Sequence, residues 1–322
     1  FNDMAYRGKW REALDILLST NPFPEFTSRI CPAPCEAACV LELSNGQPVA
    51  IREIEKAVIE TGFERGYLKP RPPAERTGRR VAVVGSGPAG LAVAQILNQL
   101  GHSVVVYDKS HRPGGILRYG IPDFKLEKWV VDRRVKLMAD EGVEFENDVT
   151  VGVDISYRYL ETRFDAVVLA AGSRQPRDLA IPGRELKGVH YAMEFLMAQN
   201  RKLAGETVPP EKDIVAKGKH VLVIGGGDTG SDCVGTSLRQ GARSVTQIEI
   251  MPKPPEERSE STPWPQWPLK LRTSSSHKEG GWRLWQVSAT SFTDNGQGGV
   301  AAAQCIEMNV DFQNGQIGRA VV

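Results

Sequence analysis

The run VAVVGSGPAG at Val81–Gly90 constrains this chain more than any other stretch. A short β-branched segment ends in glycines at 85, 87 and 90, and a helix-forming sequence follows. That order predicts a strand, a tight turn and a helix whose N-terminus faces a phosphate group. In the G-x-G-x-x-G spacing, Gly85 permits the turn, Gly87 lets backbone approach a pyrophosphate, and Gly90 allows close helix–strand packing, with Pro88 and Ala89 opening the helix. The next strand-like run, SVVVY at 103–107, ends at Asp108, 18 residues past Gly90, where a carboxylate can accept both hydroxyls of a ribose. Together these features predict a dinucleotide site. The plainer reading is a glycine turn kept only for packing.

The same spacing returns at Val221–Gly230, VLVIGGGDTG, about 140 residues further on. Gly225, Gly227 and Gly230 take the three glycine places, and Gly226, Asp228 and Thr229 complete the turn and the helix start. The strand expected at 244–250 carries Glu249, 19 residues past Gly230. An acid beside a ribose 2′-hydroxyl repels a 2′-phosphate and so favours NADH over NADPH. The plainer reading of Glu249 is a solvated charge at a strand end.

Around these motifs the texture alternates. Strand-like runs fall at 81–84, 103–107, 143–145 and 166–170, with helical patterns at 91–100 and 126–141 that each end at a glycine. A helix at 192–203, a strand at 221–224, a helix at 229–240 and a strand at 244–250 form a second stretch, and short strand-like pieces run from 285 to Val322. The fold class expected is α/β, with two Rossmann-like dinucleotide-binding domains over parallel sheets. Order weakens between Met251 and Trp285, where six prolines and four of the six tryptophans fall. Lys270 and Arg272 beside these aromatics raise nucleic-acid binding, but Glu256, Glu257, Glu260 and a net charge of +1 oppose it. The segment reads as a lid, a partner-docking loop or a structural insertion.

Residues 1–70 read as helical. Trp10, Ala13, Leu14, Leu17 and Leu18 form one amphipathic face with Asp3 as an N-cap, NPFPEF at 21–26 breaks it, and Ile51–Phe63 is a second helix. The Pro-rich, basic stretch 69–80 reads as a linker. Three of five cysteines cluster as C-x3-C-x3-C at Cys31, Cys35 and Cys39. Pro34 suits a first helical position, which would put Cys35 and Cys39 one turn apart. Three thiolates suit an iron–sulfur cluster or zinc, and each needs a fourth ligand. Glu55 is a candidate, since it lies within the apolar stripe Ile51, Ile54, Val58 and Ile59; the alternative is an ordinary salt bridge. Cys233 and Cys305 read as small buried residues. An odd cysteine count with one tight cluster points to metal binding in a reducing compartment rather than a disulfide framework. No apolar run reaches the ~18 residues of a membrane span, and no secretory signal pattern is visible.

Two further segments identify the first nucleotide. HRPGGILRYGIP at 111–122 carries Gly114, Gly115 and Leu117, and FDAVVLAAGSRQPR at 164–177 ends a strand at Ala171–Gly172. Both resemble signatures of flavoproteins with two dinucleotide-binding domains, which implies FAD at the first turn and a nicotinamide cofactor at the second. Taken in order, CPAPCEAAC, the Pro-rich linker, VAVVGSGPAGLA, RPGGILRYGIPDFKLEK and VLVIGGGDTGSDC resemble the NAD(P)H-dependent glutamate synthase small (β) subunit family. Its wider group includes the N-terminal half of dihydropyrimidine dehydrogenase. The resemblance implies an oxidoreductase that takes hydride from NAD(P)H onto FAD. It then passes single electrons through 4Fe–4S clusters to a large (α) subunit, which forms glutamate from 2-oxoglutarate and glutamine. It implies Cys31, Cys35 and Cys39 as cluster ligands, with a Gln or Glu at the position of Glu55, and these need not all serve one cluster. It also implies a hetero-oligomer in the cytoplasm, or in the plastid for the plant-type fused enzyme, with neither nucleic acid nor membrane as partner.

The domains expected are a helical iron–sulfur domain over 1–77, incomplete at its N-terminus, the first part of an FAD domain over 78–175, and an NAD(P) domain over 176–322. The family's earlier cysteine group and its C-terminal return to the FAD domain are absent. A related NAD(P)H:ferredoxin-type reductase and a non-catalytic nucleotide-binding scaffold are the alternatives. A stand-alone disulfide reductase is disfavoured because no C-x2-C pair occurs. Hydride transfer between nicotinamide and flavin depends on stacking geometry, so no catalytic acid or base is named.

Overall fold

The computed structural model describes residues 1–173 and 175–309, together with Phe312–Gln313 and Gln316–Ile317. Two compact units divide the chain: Phe1–Ser173 with Pro265–Trp267, and the remainder.

The first unit opens with six helices: α1 (Asn2–Tyr6), α2 (Trp10–Leu18), α3 (Pro24–Ile30), α4 (Pro34–Ala37), α5 (Val40–Asn45) and α6 (Ile51–Glu64). The amphipathic patterns place Ala13, Leu14 and Leu17 of α2 against Val58 and Ile59 of α6. Asp3 caps no helix at Trp10; it lies in α1 and pairs with Arg7 at 3.0 Å. The α/β part follows as β1 (Arg80–Val84), α7 (Pro88–Gln99), β2 (Ser103–Tyr107), α8 (Ile116–Tyr119), α9 (Lys128–Asp140), β3 (Glu144–Glu146), α10 (Tyr157–Arg163) and β4 (Ala166–Leu169). The sheet runs β3-β2-β1-β4 with every pairing parallel. Strand alternation sends Val83, Val104 and Val106 to a core with Leu91 and Met138, and Ala82 and Val105 to another with Leu160 and Phe164. Both faces of these parallel strands are thus covered.

Phe23 and Phe26 of α3 belong to that first core, so the helical segment is seated on the α/β part. Beside them Arg134 of α9 donates to both carboxylate oxygens of Glu25, at 2.5 and 3.0 Å, with side chains 3% and 0% exposed. Arg133 grips Glu60 with two bonds of 2.8 Å and stacks 3.6 Å over Phe63. The stretch 69–80 is no free linker. Arg76 donates to Asn98 Oδ1 and His102 O at 2.8 Å and to Glu141 O at 3.3 Å, and Arg71 N reaches Glu141 Oε1 at 3.1 Å. The guanidinium thus sits at the C-terminal ends of α7 and α9 and satisfies the C-cap carbonyl of α9.

The second unit holds α11 (Ala192–Leu203), β5 (His220–Ile224), α12 (Asp228–Arg239), β6 (Ser244–Glu249), α13 (Ser275–Lys278) and β7 (Trp282–Trp285). Its sheet is β5-β6-β7, all parallel. The core gathers Phe195, Leu196, Val223, Val234 and buried Cys233. An antiparallel hairpin follows, β8 (Val287–Asp294) with β9 (Val300–Glu307). Cys305 lies on this two-stranded hairpin and is exposed, against the expectation of burial. Strand-like pieces expected beyond 309 fall outside the described residues, apart from the pair at 312–313 and 316–317. Among the described residues no helix is long and apolar enough to cross a membrane.

Candidate functional site

Each glycine turn sits where its sheet's first strand meets a helix, and the same three questions can be put to both. A side chain at Gly85 would strike the Ala170 carbonyl, and one at Gly90 would strike the Gly85 carbonyl. In the second turn a side chain at Gly230 would strike the Gly225 carbonyl. These glycines are required by packing. Gly87 and Gly227 are different. A Cβ at either would meet no protein atom within 4 Å, and their φ angles of −65° and −75° suit any residue. The fold itself gives no reason for glycine there. The space beside both is open to an external group.

The helices support that reading. No side chain caps α7 at Gly87 or α12 at Gly227, so their first-turn N–H groups remain open to an anion. Pro88 and Ala89, and Asp228 and Thr229, are exposed at these helix starts.

The two acids behave alike. Asp108 accepts Ser86 N at 2.7 Å and Ser86 Oγ at 2.6 Å on one oxygen, and Ser110 N at 2.8 Å on the other. Glu249 accepts Gly226 N at 2.5 Å and Met251 N at 3.0 Å. Each carboxylate therefore ties the middle residue of its turn to the residue two places beyond itself. Burial alone would raise the Asp108 carboxyl, but hydrogen bonds from Ser86 and Ser110 outweigh it and hold the group below the usual carboxylate range.

Around the first turn, Gly115 adopts φ 51° with its Cβ direction 2.7 Å from Gly87 Cα, and Gly114 N donates to Ser86 O at 3.1 Å and Ser86 Oγ at 3.0 Å. Ala171 Cα lies 3.2 Å from the Cβ position of Gly85, and Gly172 is exposed beside it. The structure thus brings Gly85, Gly87, Gly90, Asp108, Gly114, Gly115 and Ala171 together. Leu117 is buried in the core at 2% exposure, so its side chain serves packing. Around the second turn, Gly226, Gly227, Gln247, Glu249, Arg283 and Trp285 line a cavity of about 260 Å³. Arg283 stacks 4.9 Å over Trp285 and has no carboxylate partner among the described residues.

Residues 79–264 match the family model described as pyridine nucleotide-disulphide oxidoreductase. The chain belongs to this family. Residues 1–67 match a second model, described as dihydropyrimidine dehydrogenase domain II, 4Fe-4S cluster. The glutamate synthase [NADPH] small chain of Mycobacterium tuberculosis is 54% identical over 313 residues, covering 96% of this chain and 64% of that protein. The glutamate synthase [NADH] of Schizosaccharomyces pombe is 54% identical over 281 residues, covering 87% of this chain and 13% of that protein. The chain therefore spans less than two thirds of the length of these relatives. The solved structure of the M. tuberculosis oxidoreductase FprA with NADPH shares the fold, with a TM-score of 0.57 at 18% identity over 78% of this chain and 67% of that one.

The cysteines occupy the segment that the second model covers. Cys31 Sγ accepts Ala33 N and Cys39 Sγ accepts Val49 N, each at 3.4 Å. Arg52 closes the segment onto the start of α6, its N–H on Glu36 Oε1 at 2.9 Å and its guanidinium on Cys31 O at 3.0 Å. One expectation fails here. Helix α4 stops at Ala37, because Cys39 must turn extended (φ −70°, ψ 126°) to lead into α5. Cys35 and Cys39 therefore do not share one helical face. Among the described residues no three His, Cys, Asp or Glu side chains converge to hold a single metal ion. The match of residues 1–67 to a 4Fe-4S model, with three thiols in this segment, fits an iron–sulfur cluster. Glu55 is half-buried and makes no ion pair among the described residues. Burial, and then the charge of Glu36, raise its carboxyl above the ordinary range. The salt-bridge alternative finds no support.

Sequence reading missed Ser86, Gln247 and Arg283. One signal was present for Gln247. It follows Val245 on an inward-facing strand position, and a buried amide needs partners.

Proposed function

We propose that this chain is the electron-input portion of a glutamate synthase. The observation that carries the reading is the pair Gly87 and Gly227, whose missing side chains leave room for nothing in the protein itself. Gly85, Gly87, Gly90, Asp108, Gly114, Gly115, Ala171 and Gly172 would hold FAD. Gly225, Gly226, Gly227, Gly230 and Glu249 would hold the nicotinamide nucleotide. Cys31, Cys35, Cys39 and Glu55 are the cluster donors. When bound, FAD supplies the exchange between hydride transfer and single-electron transfer. The chain's own part is to present open helix N-termini to the pyrophosphates and to fix each turn through its acid.

Glu249 favours NADH, since a carboxylate at the ribose repels a 2′-phosphate. The names of the relatives, glutamate synthase small chains, point to a larger partner as the electron acceptor, and the family resemblance implies 2-oxoglutarate and glutamine as the substrates there. The cytoplasm is the compartment that suits these thiols. The test is anaerobic addition of NADH to the flavin-loaded chain, followed by the large subunit with both substrates. Bleaching of the flavin and glutamine-dependent NADH oxidation are expected. Bleaching without any glutamine-dependent turnover would instead favour a reductase that feeds another acceptor. Substituting Cys31 or Cys35 by serine should leave flavin bleaching intact and abolish electron exit.

A further inference from the structure

The second glycine turn has a polar support that the first lacks. Gln247 Nε2 donates to the Gly225 carbonyl at 2.7 Å. Its Oε1 meets His277 Nε2 at 2.7 Å. His277 lies on α13, within the segment between β6 and β7 that the nucleotide motifs do not account for. On its other side His277 Nδ1 meets Ser274 N at 3.4 Å and Ser274 Oγ at 3.1 Å, and Ser274 Oγ meets Ser231 Oγ of α12 at 2.6 Å.

The bonding has a direction. A carbonyl only accepts, so the Gln247 amide nitrogen faces Gly225 and its oxygen must accept from His277. A backbone N–H only donates, so Nδ1 of His277 is an acceptor and Nε2 carries the hydrogen. The chain then runs from Ser231 through Ser274, His277 and Gln247 to the Gly225 carbonyl. Gln247 and Ser231 are 2% and 3% exposed, so water does not substitute readily for these bonds. At the equivalent register of the first sheet the residue is Val106, paired with Val83 as Gln247 is paired with Val223. The support is therefore a feature of this site and not of the fold.

We propose that His277 is a positioning residue of the nicotinamide-nucleotide site, acting through Gln247 to orient the Gly225–Gly226 peptide against the nucleotide. The inference rests on the second turn binding that nucleotide. It gives the Pro- and Trp-rich segment a role beyond a lid or spacer, since that segment supplies Ser274 and His277, the two middle side chains of the support.

The test uses the flavin-loaded chain, titrated with NADH and NADPH by calorimetry and assayed with an artificial electron acceptor. His277→Ala should raise Kd and KM for the nicotinamide nucleotide by about five- to tenfold, the effect of one buried hydrogen bond, with flavin content and kcat at saturation close to those of the parent. His277→Gln, whose amide can still donate to Gln247, should recover most of that loss. The double variant His277→Ala/Gln247→Leu should be no weaker than Gln247→Leu alone. Unchanged affinity in His277→Ala, or equal weakness of His277→Ala and His277→Gln with parental melting temperatures, overturns the inference. A parent chain that binds neither nucleotide overturns the reading of the second site itself.

Discussion

Gln247 and Glu249, two residues apart on one face of β6, hold opposite ends of a single peptide. Gln247 takes the Gly225 carbonyl at 2.7 Å and Glu249 takes the Gly226 N–H at 2.5 Å. The plane of that peptide is therefore set by side chains and not by the turn alone. Glu249 anchors the turn, and in the proposed site it would also face the ribose. Replacing it by glutamine keeps an acceptor for Gly226 N but removes the negative charge, while Arg283 stays in the cavity wall. Glu249→Gln should raise kcat/KM for NADPH relative to NADH by about tenfold, the scale of one lost charge repulsion at a partly buried site. Steady-state kinetics with both nucleotides checks this, and an unchanged ratio would show that the acid does not select the nucleotide.

The glycines of each turn should separate into two classes. Gly87→Ala and Gly227→Ala introduce no clash with protein, so both variants should melt within about 2 °C of the parent. Gly87→Ala should nevertheless lose flavin, and Gly227→Ala should keep flavin and lose nicotinamide-nucleotide affinity. Gly90→Ala forces the Gly85 carbonyl aside and should cost about 1–3 kcal/mol or more of stability. Flavin absorbance and thermal melting of the three proteins distinguish the classes.

Acid should loosen the α6 contact with α9. Burial alone would raise the Glu60 carboxyl, but hydrogen bonds and charges from Arg133 and Arg29 outweigh it and hold the group below the ordinary glutamate value. A carboxyl depressed in the folded state contributes stability that is complete above its unfolded value of about 4.3 and is lost as pH falls through the lower folded value. Urea midpoints of the parent should therefore fall below roughly pH 4.5, and those of Glu60→Gln should fall less over the same range. Parallel curves would remove Glu60 from the account.

Glu25 and Arg134 should show strong non-additivity. Glu25→Ala leaves a guanidinium buried without its partner and should cost about 3–5 kcal/mol. The apolar pair Glu25→Leu/Arg134→Met should regain most of that loss, because it removes both desolvated charges. Denaturant titration of the single and double variants measures the difference.

Much of this architecture is legible in the sequence because its signals are local. The runs at Ser103–Tyr107 and Ala192–Leu203 form the strand and helix that their periodicity predicts. Glycine spacing located both turns, since the contacts of Gly90 with Gly85 and of Gly230 with Gly225 lie within ten residues, whereas the contact of Gly85 with Ala170 left no local trace. Side chains that meet across long separations left little trace. Asp108 reads as a ribose acceptor and Glu249 as a ribose acceptor or a solvated strand-end charge, and their grip on Ser86 and Gly226 emerges from strand register. Arg76 inside a Pro-rich stretch looks like a linker charge until two helix ends converge on it. The helix expected through Cys35 and Cys39 was broken by a demand from the next helix, whose start requires Cys39 to be extended. Cys305 sits on a strand whose pattern does not reveal that its hairpin is only two strands wide.

The shared core of Phe23, Phe26 and Leu91, with the enclosed Glu25–Arg134 pair, has a consequence for the proposed electron path. Tunnelling rates fall off steeply with separation, so a swinging donor or acceptor would make transfer intermittent. Here α3, whose C-terminal end leads into Cys31, and the helix that follows the first glycine turn share one packed interior, and the stretch before β1 is pinned by Arg76. Under the proposed function, the part of the electron path within this unit would be set by the fold, and turnover would be governed by nucleotide arrival and by whatever receives the electrons.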